Sequence, residues 1–517
     1  MVNHGASVKV LVVGGGFGGI AMGVRLKRSG IDDFVILEQN PGPGGTWWTN
    51  DYPNAEVDVS SSIYSYSFRP GSFSRTHAGQ VELLEYITST VDEFGLAPHF
   101  RYNTRVESVA WDGARERYVV ATRQGQTIDA KFVVSAVGML SDPKRPTWPG
   151  VEMFEGRLMH SSEWDHSLAL SDKTVGVVGV GSTGAQIIPG VAPRVRELKV
   201  FMREPGWVLP KHARDYTPEE LRKNRSRLRR RLRRTLDMVR SDWHHIYHPI
   251  YMAGSKRNLE FERIAVRYLD EVFKDRPDLR EAMTPKYQFS AKRRVVSDDF
   301  LQALTLPNVE LVTGGVVALT KTGVVTGDGR ETEVDVLVHA TGFKAADYLS
   351  SLKVTGRYGA DLHEVWGDAA FAFLGITVPQ FPNFFIMYGP NTNGGAPITR
   401  MLELQARFIA AEIRRAERQG WTSIEVRKRA SDRYQVWIQR RMEGTAWQSG
   451  NNYFKAPNGK IVTQWRDSSA LYSWMLATKR LTSSRGRKSP VRFSVPADNA
   501  LPVAAQIPVG TQSRRPE

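Results

Sequence analysis

Two stretches of this 517-residue chain set glycines where a backbone must come close to a phosphate. Gly14, Gly16 and Gly19 form G-x-G-x-x-G straight after the apolar run Val10–Val13. Gly179, Gly181 and Gly184, enclosing Ser182 and Thr183, repeat the pattern after a second apolar run. In such a motif the first glycine makes the tight turn, the second lets the backbone approach a pyrophosphate, and the third lets helix and strand pack. The helix that follows offers free N–H groups and the positive end of its dipole to the phosphates. Each unit closes with a second apolar run. Phe34–Leu37 ends at Glu38 and Leu198–Met202 ends at Arg203, each 22 residues after the middle glycine. A carboxylate there accepts hydrogen bonds from a ribose hydroxyl pair, and an arginine suits a 2′-phosphate. The opposite charges predict FAD as the first cofactor and NADP as the second. Glu204 beside Arg203 keeps NAD open as the second nucleotide. The competing reading is a pair of βαβ units that bind nothing.

The elements that would position these groups follow from periodicity. Val10–Val13 and Phe34–Leu37 are short fully apolar runs, as buried parallel strands are. Residues 40–68 begin as a Gly/Pro loop and are then unusually aromatic, with Trp47, Trp48, Tyr52, Tyr64, Tyr66 and Phe68. That cluster suits either walling a flat ring system or packing a domain interface. Asp58 lies amid it and needs a partner if buried. Residues 81–95 have a helical pattern and 100–135 alternate as a β-meander. A proline-rich stretch after Gly138 marks a boundary. Within 212–286, Leu221, Leu228, Leu232 and Leu236 fall near one helical face while Arg222–Arg234 crowd the others. This reads as a solvated amphipathic helix, with a nucleic-acid or partner surface as the alternative. Asp335–Phe343 is a buried strand ending in a glycine turn. Gly389-Pro390-Asn391 precedes a long helix whose free N–H groups, with Asn391, suit the electron-rich end of a reduced flavin.

These boundaries give an α/β chain of two Rossmann-like dinucleotide domains with a helical insertion. Residues 212–286 are the insertion and 482–517 a flexible tail. The absence of cysteine excludes disulfide exchange and thiolate metal sites, so a disulfide reductase is set aside. No metal is expected. A net charge of +16 is concentrated in the arginine run and the tail, so no nucleic-acid partner is expected. The N-terminus has no signal-peptide pattern and no run is long enough to span a bilayer, which predicts a cytoplasmic protein without a membrane partner, as monomer or homodimer.

Together the motifs resemble the flavin-dependent Baeyer–Villiger monooxygenases. The resemblance covers roughly residues 8–475. It rests on GGGFGG, on the stretch Gly45-Thr46-Trp47-Trp48 with the following Tyr52-Pro53 and Asp58, on GVGSTG, and on the ATGF strand. It also rests on Phe154-x-Gly156-x-x-x-His160-x-x-x-Trp164-Asp165. In that family an NADP domain is inserted into a discontinuous FAD domain, which implies that residues 8–145 and 335–481 are assigned to the FAD domain and 146–211 and 287–334 to the NADP domain. The resemblance implies that NADPH reduces FAD, that O2 forms a peroxide at the flavin C4a carbon, and that a ketone becomes an ester or lactone. Sulfur or nitrogen oxygenation is the alternative. It further implies Arg293 as the active-site arginine, Asp58 as the acid that positions it, and Lys292 with Arg203 as the 2′-phosphate cations. Gly45, Thr46 and Trp47 would lie on the flavin. His160 would couple movement of the NADP domain to the flavin, and Trp164 would pack. The family's C-terminal tryptophan is missing here, and Asn452 or Tyr453 stands near its place.

Overall fold

The computed structural model describes residues 7–247, 250–394 and 396–488. Val10–Val13 are buried on both faces, which an apolar strand achieves only inside a sheet covered on both sides. Ser7–Val13 lies between Phe34–Leu37 and Thr127–Ser135, parallel to both. The sheet continues through Phe100–Arg101 at one edge. At the other side Thr127–Ser135 turns back antiparallel into Arg117–Thr122 and Val106–Asp112, with Lys353–Thr355 at that edge. Phe384–Ile386 also joins Thr127–Ser135 in parallel.

The second sheet has five strands, all parallel. Their order is Val309–Thr313, Glu197–Met202, Thr174–Val178, Val336–His339 and Arg157–His160. Each sheet has its own core. Leu11, Phe132 and Ile409 belong to the first, and Val177, Ile188 and Val338 to the second. The architecture is thus α/β with two Rossmann-like sheets.

Three expectations change. The strand inside Asp335–Phe343, assigned above to the FAD domain, pairs with both Thr174–Val178 and Arg157–His160. It belongs to the second sheet, and the chain rejoins the first sheet only at Lys353–Thr355. Residues 482–517 are not all tail, because Ser484–Arg487 pairs antiparallel with Ser423–Val426. The remainder, 489–517, lies outside the described residues.

The arginine helix, Arg227–Tyr247, is turned opposite to expectation. Leu228, Leu232 and Leu236 are exposed and Arg234 is buried. Arg234 donates from Nε to the Ser65 carbonyl at 2.9 Å and lies 3.5 Å from the buried Glu403. A buried charge must be paired, and Glu403 is fixed in turn by the Ser67 N–H at 2.6 Å. The insertion leaves and returns at adjacent strands, Val208–Leu209 and Val295–Val296, which pair in parallel. The insertion is therefore an excursion that starts and closes at one small two-stranded ribbon.

His339, at the end of its strand, is 3% exposed and its Nε2 has no hydrogen-bond partner among the described residues. Burial, then the neighbouring His160 and Arg145, push its pKa down from 6.5 to about 4. The unfolded chain binds this proton more readily. Neutral His339 therefore contributes stability that is fully present above pH 6.5 and is lost as pH falls towards 4. We predict that His339→Leu removes up to ~3 kcal/mol of the stability difference between pH 7 and pH 4.5, measured by urea unfolding. An unchanged difference would contradict this account of the buried ring.

Candidate active site

The first glycine turn opens a cavity of about 550 Å³. Glu38, Thr104 and Val106 line one end, and Trp47, Tyr64, Tyr388 and Ile398 the other. Glu38 is 3% exposed and accepts the Gly15 N–H at 2.6 Å and the Asn40 N–H at 2.9 Å. Burial raises its pKa, against these hydrogen bonds. Gly14 has φ +104°, and a Cβ there would lie 2.7 Å from the Ala136 carbonyl oxygen. Gly45, at φ +53°, faces Gly16 so closely that its Cβ would be 2.9 Å from the Gly16 Cα. Two glycine loops thus meet without side chains along the cavity wall, a cradle that a Cβ would fill. Trp47 is 7% exposed, and its Nε1 donates to the Tyr64 hydroxyl at 3.1 Å. The long groove runs from a strand-end carboxylate past glycine amides to an aromatic end, and so fits a flavin dinucleotide.

The second glycine turn abuts the first through residues 52–58. The Tyr52 hydroxyl donates to Gln186 Oε1 at 3.0 Å and is hydrogen-bonded to Thr183. Gln186 Nε2 donates to the Glu56 carbonyl at 2.9 Å. Gly190 lets Pro53 approach, since a Cβ there would be 2.9 Å from the Pro53 Cβ. Lys211, its side chain 2% exposed, pairs with Glu56 at 2.7 Å. Sequence reasoning missed Gln186, Glu56 and Lys211, because nothing in their spacing marks them as partners across the seam.

Gly181 and Arg203 are exposed, and Ser182 and Thr183 are half-buried. A Cβ on Gly181 would meet nothing within 4 Å, so open space lies where the second phosphates would run. Arg203 has no ion-pair partner among the described residues, whereas its neighbour Glu204 pairs with Lys292. Lys292 is thus held by Glu204, the residue that follows Arg203.

At this seam Arg293 Nη2 donates to Asp58 Oδ2 at 2.6 Å. Asp58 is 16% exposed and Arg293 48%. The Tyr453 hydroxyl is the second hydrogen-bonding neighbour of Arg293. Burial works against the guanidinium, but Asp58 and Tyr453 outweigh it and raise its pKa. Burial also pushes the Tyr64 hydroxyl up to about 12, while the Arg293 cation pulls it down. Tyr388 feels the same cation. Both tyrosines line the aromatic end of the cavity, so the Arg293 charge bears on that end. Of the two residues proposed for the missing tryptophan's place, Tyr453 faces the site. Asn452 is spent on the Trp447 and Ser449 carbonyls at 2.9 and 3.1 Å.

The remaining expected residues divide. His160 is 2% exposed. Its Nδ1 accepts the Ser162 N–H at 3.1 Å, and its Nε2 lies 3.1 Å from the Gly342 carbonyl of the glycine turn. Burial holds its pKa down despite that carbonyl. A neutral ring joins two elements there, and the adjacent Ser162 and Glu163 line the cavity. Gly156 is required because a Cβ would lie 2.7 Å from the Asp335 carbonyl oxygen. Trp164 packs partly buried against the second core. Asn391 is corrected: its Nδ2 donates to the Ile461 and Gln464 carbonyls at 2.7 and 3.1 Å, so its side chain anchors the C-terminal segment instead of facing the cavity.

Known proteins match this geometry. A family model described as pyridine nucleotide-disulphide oxidoreductase matches residues 11–225. A Baeyer–Villiger monooxygenase of Streptomyces coelicolor is 36% identical over 90% of this chain and 89% of its own. Another, from Pseudomonas aeruginosa, is 34% identical over 88% of this chain and 87% of its own. Among solved structures, an oxidized steroid monooxygenase bound to NADP superposes with a TM-score of 0.85 at 26% identity. It covers 93% of this chain and 100% of that one.

The glycine geometry makes a controlled comparison possible. A Cβ on Gly184 would sit 2.0 Å from the Gly179 carbonyl oxygen, whereas one on Gly181 meets nothing. Gly184→Ala is expected to cost about 3 kcal/mol of apoprotein stability, and Gly181→Ala less than about 0.5 kcal/mol. Equal melting temperatures for the two variants would show that the turn yields in a way this geometry forbids.

Proposed function

This chain belongs to the Baeyer–Villiger monooxygenase family, and from that premise we propose that it is an FAD- and NADPH-dependent enzyme converting a ketone to an ester or lactone. The overall balance is ketone, O2, NADPH and a proton giving ester, NADP+ and water. The observation that carries the proposal is the Arg293–Asp58 pair beside the aromatic end of the first cradle.

FAD would lie in that cradle, with Glu38 at its ribose, Gly14, Gly16 and Gly19 at its pyrophosphate, and Gly45, Thr46 and Trp47 at its ring end. NADP would lie on Gly179, Gly181, Ser182, Thr183 and Gly184, with Arg203 and Lys292 at the 2′-phosphate. Flavin held there would supply the redox chemistry between NADPH and O2. The chain's own part is electrostatic. The Arg293 guanidinium favours a negatively charged oxygen nucleophile over its protonated form, and stabilises the oxyanion that develops on the ketone. Asp58 holds the planar fork in place, which a lysine would not reproduce. His160 ties the end of its strand to the Gly342 turn of the neighbouring strand in the same sheet, and a shift of that sheet edge would reach the cavity through Ser162 and Glu163.

The direct test supplies a ketone and a thioether side by side with NADPH and O2. Ester or lactone formation is expected; sulfoxide alone would select heteroatom oxygenation. For the second cradle, Arg203→Ala should lower the ratio of kcat/KM for NADPH over NADH by about tenfold or more, as one charge-assisted phosphate contact is lost. An unchanged ratio would remove Arg203 from the 2′-phosphate site.

A further inference from the structure

We infer that the outward face of the helix Arg227–Tyr247 is a docking surface for an anionic lipid bilayer. Leu228, Leu232, Leu236, Val239 and Ile246 are 76, 60, 49, 60 and 54% exposed, and Trp243 in the same row is 56% exposed. At 100° per residue all six fall within an arc of about 80°. Scattered exposed hydrophobics are ordinary, but a continuous row of this length marks an interaction site.

The charges beside that row are sorted. Arg229, Arg231 and Arg240 flank it and are exposed. The helix has two acids, Asp237 and Asp242, and both are engaged with their own chain. Asp237 accepts from the Ser62 hydroxyl and lies 3.7 Å from Arg240, which leaves Arg229 and Arg231 as the cations beside the row without an acid among the described residues. Asp242 accepts the Ser469 N–H at 2.7 Å and its hydroxyl at 2.8 Å. The nearby Glu93 is taken up by Arg69 at 2.5 Å and Arg227 at 3.7 Å. The outward face therefore presents an apolar stripe edged by cations, the pattern of a helix lying in a membrane interface. No helix among the described residues is long and apolar enough to cross a membrane, so the contact is peripheral.

Charge decides between lipid and a second copy of the chain. Pairing two such helices about a twofold axis would bring their arginine rows together, with the helix acids already committed inward. Anionic headgroups supply the missing negative charge, and the acyl region takes the leucines. A nucleic acid would satisfy the arginines but leave the apolar stripe without a partner.

Flotation of the full-length holoenzyme with phosphatidylcholine vesicles, with and without 30% phosphatidylglycerol, tests the inference. The wild type should float with anionic vesicles at least about tenfold more than with neutral ones, and lose that binding in high salt. Leu232→Asp/Leu236→Asp should reduce the bound fraction by about tenfold or more, and Arg229→Glu/Arg231→Glu should abolish the preference for anionic lipid. Oxygenation rates on a soluble ketone should be unchanged in both. Three results would each overturn the inference. They are absence of flotation by the wild type, equal flotation by the leucine variant, and a concentration-dependent dimer or DNA retention that the same substitutions remove without any vesicle binding.

Discussion

The contact on which the site depends is made between units that are far apart in sequence. Asp58 comes from the loop that follows the first cradle, and Arg293 from the segment that returns to the second sheet after the helical insertion. Their 2.6 Å ion pair exists only when the two sheets are docked. The seam around it is over-determined. Tyr52 on Gln186, Gln186 on the Glu56 carbonyl, and Lys211 on the Glu56 carboxylate all cross it. Lys211 is so deeply buried that it must keep its carboxylate, since an unpaired buried charge costs several kcal/mol. The position of the guanidinium is thus set by the docking of whole domains, and Asp58 and Tyr453 supply the last alignment.

The parts of this arrangement that were legible in the sequence are those imposed by local geometry. A glycine turn between a strand and a helix leaves little choice of neighbours, so Gly14, Gly16, Gly19 and their counterparts could be placed, as could the strand-end charges Glu38 and Arg203. Elements whose fate is settled by tertiary pairing were not legible. Val336–His339 is an apolar run, and nothing in it says which sheet it joins. Ser484–Arg487 is polar and has no strand periodicity; pairing with Ser423–Val426 makes it a strand. The arginine helix shows the same limit in its sharpest form. Periodicity located its two faces, but the buried carboxylate of Glu403 and the Ser65 carbonyl draw Arg234 inward, and the leucines are left outside. Asn391 was misplaced because an asparagine before a helix signals a turn without saying where its amide points.

The aromatic stretch after Glu38 was ambiguous between ring wall and interface, and the structure divides it between a cavity wall and the seam. Trp47 and Tyr64 line the cavity, while Tyr52 locks the second glycine motif. One loop therefore carries part of the cavity wall, the seam and the acid paired with Arg293. That economy explains why movement of one cradle against the other would be felt at once by the guanidinium. His160, neutral and bonded to the Gly342 turn, lies on the same route from the second sheet to the cavity rim.

The central claim is that the Arg293 cation, held by Asp58, keeps activated oxygen productive. Its most direct test is the fate of reducing equivalents in Arg293→Ala. The variant should bind FAD and be reduced by NADPH without air, but its ester yield per NADPH should fall by at least about tenfold, with hydrogen peroxide accounting for the difference. Wild-type ester yield in that variant would contradict the account.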